Sequence, residues 1–282
     1  MIKHAMASQD GPILPILLTD LDIDAPHAKW LCEFGAIYHN QQRIKSSEIL
    51  IKKGDYLRVH ALPRRFPVTV TEWKTCVIEE TEGFVVINKP FGVPTHASVD
   101  NLFENAAHQM SLALNSPIFV THRLDVATSG ILFFAKTKEM QRQFNQALKE
   151  GQVEKTYLAK VAGTLRLTGI VEHFMEASQY LPKKISKNFV EGWQQCLLEI
   201  LHVQPENENT LATIRLITGR THQIRAQMSE LGHPILGDVL YSGEVRDRKV
   251  AWGQIEKIDL SARSLRFKLS PEQNSPEYFY SL

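Results

Sequence analysis

The chain has 282 residues, with 32 Lys and Arg against 31 Asp and Glu, and 43% of its residues are hydrophobic. Such a composition belongs to a globular protein with one large domain, or one domain plus a small module. The net charge of +1 gives no global field for a polyanionic partner, although a local basic face is compatible with it.

Three cysteines, Cys32, Cys76 and Cys196, lie far apart with no CxxC pair. That argues against a disulfide framework or a zinc ribbon and for a reducing cytoplasm. The opening "MIKHAMASQDGPILPILL" has no apolar run long enough for a signal peptide or membrane span, so a cytoplasmic protein is expected.

In chain order, "HAKWLCEFG" predicts a short helix ending at Gly35. Residues 35–60 read as short strands, with turns at Asn40-Gln41-Gln42 and Lys53-Gly54-Asp55. Between Arg43 and Lys74 there are eight basic residues and three acids, a local balance of +5. A solvated surface accounts for such a run as well as a nucleic-acid face does. The two prolines of "ALPRRFPVT" place a boundary near residue 72. An N-terminal module is therefore expected over 1–72 and a second domain over 73–282.

Beyond the boundary, "CVIEETEGFVVINKP" predicts two strands joined at Thr81-Glu82-Gly83, and "NLFENAAHQMSLAL" a helix. "ILFFA", residues 131–135, predicts a buried strand. Met140, Phe144 and Leu148 at four-residue spacing predict a helix stopped by Gly151. "KTYLAKVAG", "QCLLEILHV" and "TLATIRLITG" predict strands. "THQIRAQMSELG" predicts a helix with Thr221 as N-cap and Ile224, Met228 and Leu231 on one face. "VAWGQIEKIDLSARSLRFKLSP" suggests further strands. The pattern is α+β, without a regular βαβ rhythm.

Two polar clusters interrupt this pattern. In "HRLDVATSG", Asp125 immediately precedes the buried strand, a rigid support that suits a catalytic acid, base or nucleophile. Alternatively, Asp125 and Thr128 only satisfy backbone donors in a turn. In "TGRTHQIR", Arg220, His222 and Arg225 stand at a helix start, where cations are unfavourable. They call for an anion, either a buried carboxylate such as Asp125 or a phosphate. Tyr157 reads as a core aromatic, or as a face on which a planar base stacks. No HExxH pairing, G-x-S-x-G elbow, Walker A or G-x-G-x-x-G sequence is present. A metal, a nucleotide cofactor and a serine-hydrolase site are thereby disfavoured.

Taken together, "INKPFGVPTHAS", "HRLDVATSGILFFAKT", "EKTYLAKVAG" and "TGRTHQIRAQMSELGHPILGDVLYSG" resemble, in order, the motifs of the RluA family of pseudouridine synthases. "IDLSARSLRFKLSP" is similar to a C-terminal family segment, so the resemblance spans about residues 76–270. It implies the pseudouridine synthase fold, a central mixed and largely antiparallel sheet flanked by helices and loops. It also implies isomerisation of uridine in ribosomal or transfer RNA, with no cofactor or metal. By resemblance, Asp125 is the catalytic carboxylate, Arg225 pairs with it, Tyr157 stacks on uracil, and Arg123 helps hold the target nucleotide out of its stack.

His122, Thr128 and His222 are implied as supporting residues, and Lys89 and Lys155 as phosphate contacts. Residues 35–60 resemble a degenerate αL-type RNA-binding module with its leading helices short or absent. Its face would include Arg43, Lys52, Arg58, Arg64 and Arg65. RNA is the expected partner and a monomer the expected state. The alternative is an inactive RNA-binding or ribosome-assembly protein on the same fold, against which Asp125, Tyr157 and Arg225 speak.

Overall fold

The computed structural model describes residues 1–66, 73–243, 257–270 and 275–282. Its first portion is a four-stranded antiparallel sheet in the order β1 (Ile2–Met6), β6 (Tyr56–His60), β3 (Ile37–His39), β4 (Gln42–Arg43). A second pair joins β2 (Gly11–Pro12) to β5 (Leu50–Ile51). Two helices, α1 (Ile13–Leu21) and α2 (Ala25–Phe34), pack on these strands, and Ile13, Ile16, Leu17, Leu31, Leu57 and Val59 close a core of their own.

Of leading helices expected to be short or absent, both are present and short, with nine and ten residues. Pro15 masks α1 in the sequence, but it lies in the first turn, where a missing N–H costs nothing. Helix α2 has the predicted end, with Gly35 at φ 72° as its C-cap, and begins where the Asp24 side chain accepts from the His27 N–H.

The main body is an eleven-stranded mixed sheet. It contains β7 (Val77–Glu80), β8 (Phe84–Lys89), β9 (Phe119–Val120), β10 (Ser129–Ala135), β11 (Val153–Ala162), β12 (Gly169–Met175), β13 (Ile185–Ser186), β14 (Gln194–Glu206), β15 (Asn209–Leu216), β16 (Leu260–Lys268) and β17 (Glu277–Ser281). The order runs β13-β12-β14-β15-β11-β16-β10-β8-β7, with β17 beside β16 and β9 beside β10. All pairings are antiparallel except β10 with β16. Helices α3 (Ala106–Leu114), α4 (Lys138–Lys149) and α5 (Gln223–Glu230) flank it. No helix among the described residues is long and apolar enough to cross a membrane. The strand signal before Ile258 lies largely outside the described residues.

From Ile131 to Ala135 strand β10 is apolar at every position because both of its faces are covered. Leu132 and Phe134 enter one core with Val85, Ile87, Met110 and Ile224. Ile131, Phe133 and Ala135 enter the other with Phe84, Phe144 and Phe267. Alternation of period two therefore gives two buried faces.

Gly130, at the head of this strand, has φ 110°, and a Cβ there would fall 2.2 Å from the Ala262 carbonyl oxygen. Gly130→Ala must therefore open the single parallel contact of the sheet. We expect it to destabilise the protein by at least about 2 kcal/mol, read as a lowered midpoint in denaturant. An unchanged midpoint would refute the close approach.

The module docks through the residues that the sequence marked as a basic face. Arg64 pairs with Asp100 at 3.0 Å and Arg65 with Glu104 at 2.6 Å. Arg43 donates to the Ser98 carbonyl and to Tyr38 Oη. The Arg58 guanidinium lies 4.2 Å from the centre of the Tyr38 ring. Burial would raise the Asp100 carboxyl, but hydrogen bonds from Arg64 and Ser98 outweigh it and hold it well below the carboxylate range. Arg43, Arg64 and Arg65 thus have partners within the chain, while the Arg64 and Arg65 side chains stay 49% and 61% exposed. Lys52 stays exposed.

Candidate active site

The loop carrying Asp125 is fixed from two sides. Below it, β10 anchors the chain. Beside it, Thr95 Oγ1 donates to the Leu124 carbonyl at 2.9 Å and accepts from the Leu124 N–H at 3.0 Å. Gly92 N–H donates to the Val126 carbonyl at 2.9 Å. The segment around "KPFGVPT" is therefore the brace of the Asp125 loop.

Lys89 belongs to that brace. It is wholly buried, and its ammonium donates to the carbonyls of Pro90 and Val93 at 2.9 and 2.8 Å. Burial pulls its pKa down to about 7 against the opposing charge of Asp125. A lysine so enclosed has no access to a phosphate, and that expectation is corrected.

The turn at Asp125 is closed by backbone alone, Thr128 N–H donating to the Asp125 carbonyl at 3.0 Å. The Asp125 carboxylate makes no hydrogen bond among the described residues, and the buried Thr128 hydroxyl has no partner. The reading in which these side chains merely cap the turn is thereby overturned. Asp125 instead keeps 24% of its side-chain surface open, facing a cavity of about 820 Å³ lined also by Tyr157, Lys155, Arg123, His222 and Arg225.

Tyr157 reaches this cavity from β11, at a bulge in its pairing with β16. Its ring is 5% exposed, and burial together with the charge of Asp125 pushes its hydroxyl well above the ordinary range. Lys155 lies two residues before it on the cavity wall, makes no hydrogen bond or ion pair among the described residues, and has its pKa lowered by burial.

His122 is held by the core. Its Nε2 accepts from the Phe133 N–H at 3.2 Å and its ring stacks on Phe144. Burial, helped by the Lys155 charge, lowers it to about 3, so it is neutral at physiological pH. Arg123 is exposed on the rim and donates to Thr221 Oγ1 at 3.1 Å.

Helix α5 supplies the other wall. Its N-cap is His222, at φ 58° and without a side-chain cap, instead of Thr221. The turn is closed by Gln223, whose Oε1 accepts from the Arg220 N–H and the Thr218 hydroxyl, both at 2.9 Å. Ile224 and Met228 are buried as expected, but so are Gln223, Arg225 and Gln227. The polar side of this helix faces protein, with Gln227 donating to the Val171 and Cys196 carbonyls.

Arg225 has two anionic neighbours. One Nη1 stands 3.6 Å from Asp125 Oδ2. Its Nε and Nη2 donate to Asp238 at 2.6 and 2.8 Å. Burial disfavours the cation, yet the hydrogen bonds and charge of Asp238, with Asp125 adding to them, raise its pKa. The predicted pairing with Asp125 is therefore a charge contact, and the hydrogen-bonded partner is Asp238. His222 Nε2 faces Arg225 Nη1 at 3.1 Å and lies 3.8 Å from Asp125. Burial lowers its pKa, the nearby carboxylate of Asp125 opposing and the Arg225 cation adding to the fall.

Sequence reasoning missed Asp238, Tyr241 and Thr95. A further acid after the arginine motif was the one available signal for Asp238. Among the described residues no three His, Cys, Asp or Glu side chains converge as a metal site.

Asp125 thus stands in a cleft with the Tyr157 ring on one wall and the cations Arg123, Lys155 and Arg225 around it. Residues 83–230 match the family model described as RNA pseudouridylate synthase, and the chain belongs to that family.

RNA pseudouridine synthase 6, chloroplastic, from Oryza sativa subsp. japonica is 33% identical over 71% of this chain and 46% of its own length. The chain thus spans about half the length of that relative. Ribosomal large subunit pseudouridine synthase D from Borreliella burgdorferi is 32% identical over 84% of this chain and 72% of its own. In fold, the chain resembles human RNA pseudouridylate synthase domain containing 1, with a TM-score of 0.57 at 24% identity, covering 77% of this chain and 86% of that one.

Proposed function

We propose that the protein isomerises uridine to pseudouridine within RNA and that Asp125 is the reacting carboxylate. The observation that carries this reading is the shared cavity. Asp125 and Tyr157 line it together, and Arg225 stands 3.6 Å from the acid.

The reaction breaks the bond between uracil N1 and ribose C1′, turns the base, and joins C5 to C1′, the proton lost from C5 being matched by one gained at N1. No atom is gained or lost. Because the departing base is also the incoming nucleophile, one carboxylate suffices where a glycosidase needs two, and water must be kept out. Buried Leu124 and Leu260 on the wall suit a dry site. Uracil would have to leave its stack to reach Asp125, and exposed Arg123 stands at the rim to hold the displaced nucleotide.

Ribosomal and transfer RNA are both consistent substrates, and the names of the relatives point to each. Lys155, unpaired on the cavity wall, suits a phosphate of the bound strand. The N-terminal module would add an RNA contact through Lys52 and neighbouring lysines. The cysteine pattern favours the cytoplasm, whereas the rice relative is named chloroplastic. Mapping pseudouridines in total RNA from cells with and without the gene tests the reading, since an identical map would remove it.

Tyr157 provides a narrower test. Its hydroxyl makes no hydrogen bond among the described residues, so the ring alone is useful. We expect Tyr157→Phe to keep the rate within about threefold and Tyr157→Leu to lose at least about tenfold, in line with one stacking interaction. Equal losses in both variants would assign the role to the hydroxyl.

A further inference from the structure

Asp238 meets Arg225 from the side opposite Asp125. It is 2% exposed and takes both Nε and Nη2. Its position is set with care. Gly237, at φ 80°, brings the backbone so near Lys257 that a Cβ would lie 2.3 Å from that carbonyl oxygen. Ile235 bridges Val161, and Leu236 N–H donates to the Lys160 carbonyl at 2.9 Å, so the segment is tied to the strand that carries Tyr157. The Tyr241 ring covers the guanidinium at 5.2 Å, and its hydroxyl accepts from the Lys183 N–H at 2.9 Å.

We propose that Asp238 is a positioning residue for the reaction, holding Arg225 by one edge so that only Nη1 faces Asp125. The inference rests on Asp125 being the reacting group. Guanidinium and carboxylate favour a bidentate, fork-to-fork pair. Were Arg225 free to turn, it would engage both oxygens of Asp125, which a bound ribose needs. Asp238 takes the bidentate edge instead. Asp125 keeps a nearby cation for charge, at 3.6 Å and without a hydrogen bond, and both of its oxygens stay available.

The test uses the full chain and total RNA from cells lacking the gene, with pseudouridine formed in a single turnover measured by mass spectrometry. Asp238→Asn is expected to slow the bound-state rate by about 30-fold while RNA affinity stays within about twofold, a loss confined to the step after binding. Combined with Arg225→Lys, the losses should fall short of their product, because the two residues act as one unit. A folded Asp238→Asn protein at the parental rate, or a loss confined to RNA affinity, would overturn the proposal. So would losses that simply multiply. Asp238→Ser is read alongside, and if neither variant folds the residue is structural only and the proposal falls. Asp125→Asn serves as the separate control. Its retained activity would remove the catalytic reading, whereas a dead Asp125→Asn beside a fully active Asp238→Asn removes only the positioning role.

Discussion

Asp125→Asn is expected to abolish pseudouridine formation, by at least ~10³-fold or about 4 kcal/mol of barrier, while the protein keeps its stability to within about 1 kcal/mol. Both halves follow from the site. The carboxylate makes no hydrogen bond among the described residues, and a quarter of its side-chain surface is open, so an isosteric amide strands no partner. Arg225 keeps Asp238, and the loop stays braced by Thr95 and Gly92. The measurements are a thermal melt and a pseudouridine count on RNA from cells lacking the gene. Substantial activity in the variant would mean that another group does the chemistry. A collapsed melt would mean that Asp125 is part of the scaffold.

How far the sequence could be read depended on the range of the interactions involved. Strand β10 and helices α2 and α4 were legible because period, cap and stop signals lie within a few residues of one another. Helix α1 was not, since Pro15 looks like a breaker unless its place in the first turn is known. Asp125, Tyr157 and Arg225 were legible as parts of ordered motifs, and the structure brings them to one cavity.

The brace was hidden. Thr95 and Leu124 are 29 residues apart, and nothing local in "GVPT" announces a bond to the Asp125 loop. Charge was the weakest guide. A local excess of arginines says nothing about direction, and Arg64 and Arg65 turn to Asp100 and Glu104, acids more than thirty residues downstream. Lys89 looked like an exposed cation beside a proline, yet it is the largest fully buried side chain in the described residues.

Arg225→Ala is expected to be the most damaging single change to the protein itself. The carboxylate left behind is Asp238, with 1% of its side-chain surface exposed, and removing one partner of a buried pair costs about 3–5 kcal/mol. Activity should fall as well, because Asp125 loses its nearest cation. The source of the instability can be isolated by a second substitution. If the stranded Asp238 charge is responsible, Arg225→Met combined with Asp238→Asn should recover much of the stability lost in Arg225→Met alone, since neutral partners need no counter-ion. It should recover none of the activity, because Asp125 still lacks the guanidinium. Denaturant midpoints of the two single variants and the double variant decide this. A double variant no more stable than the singles would place the cost in lost packing against Tyr241, not in the buried charge.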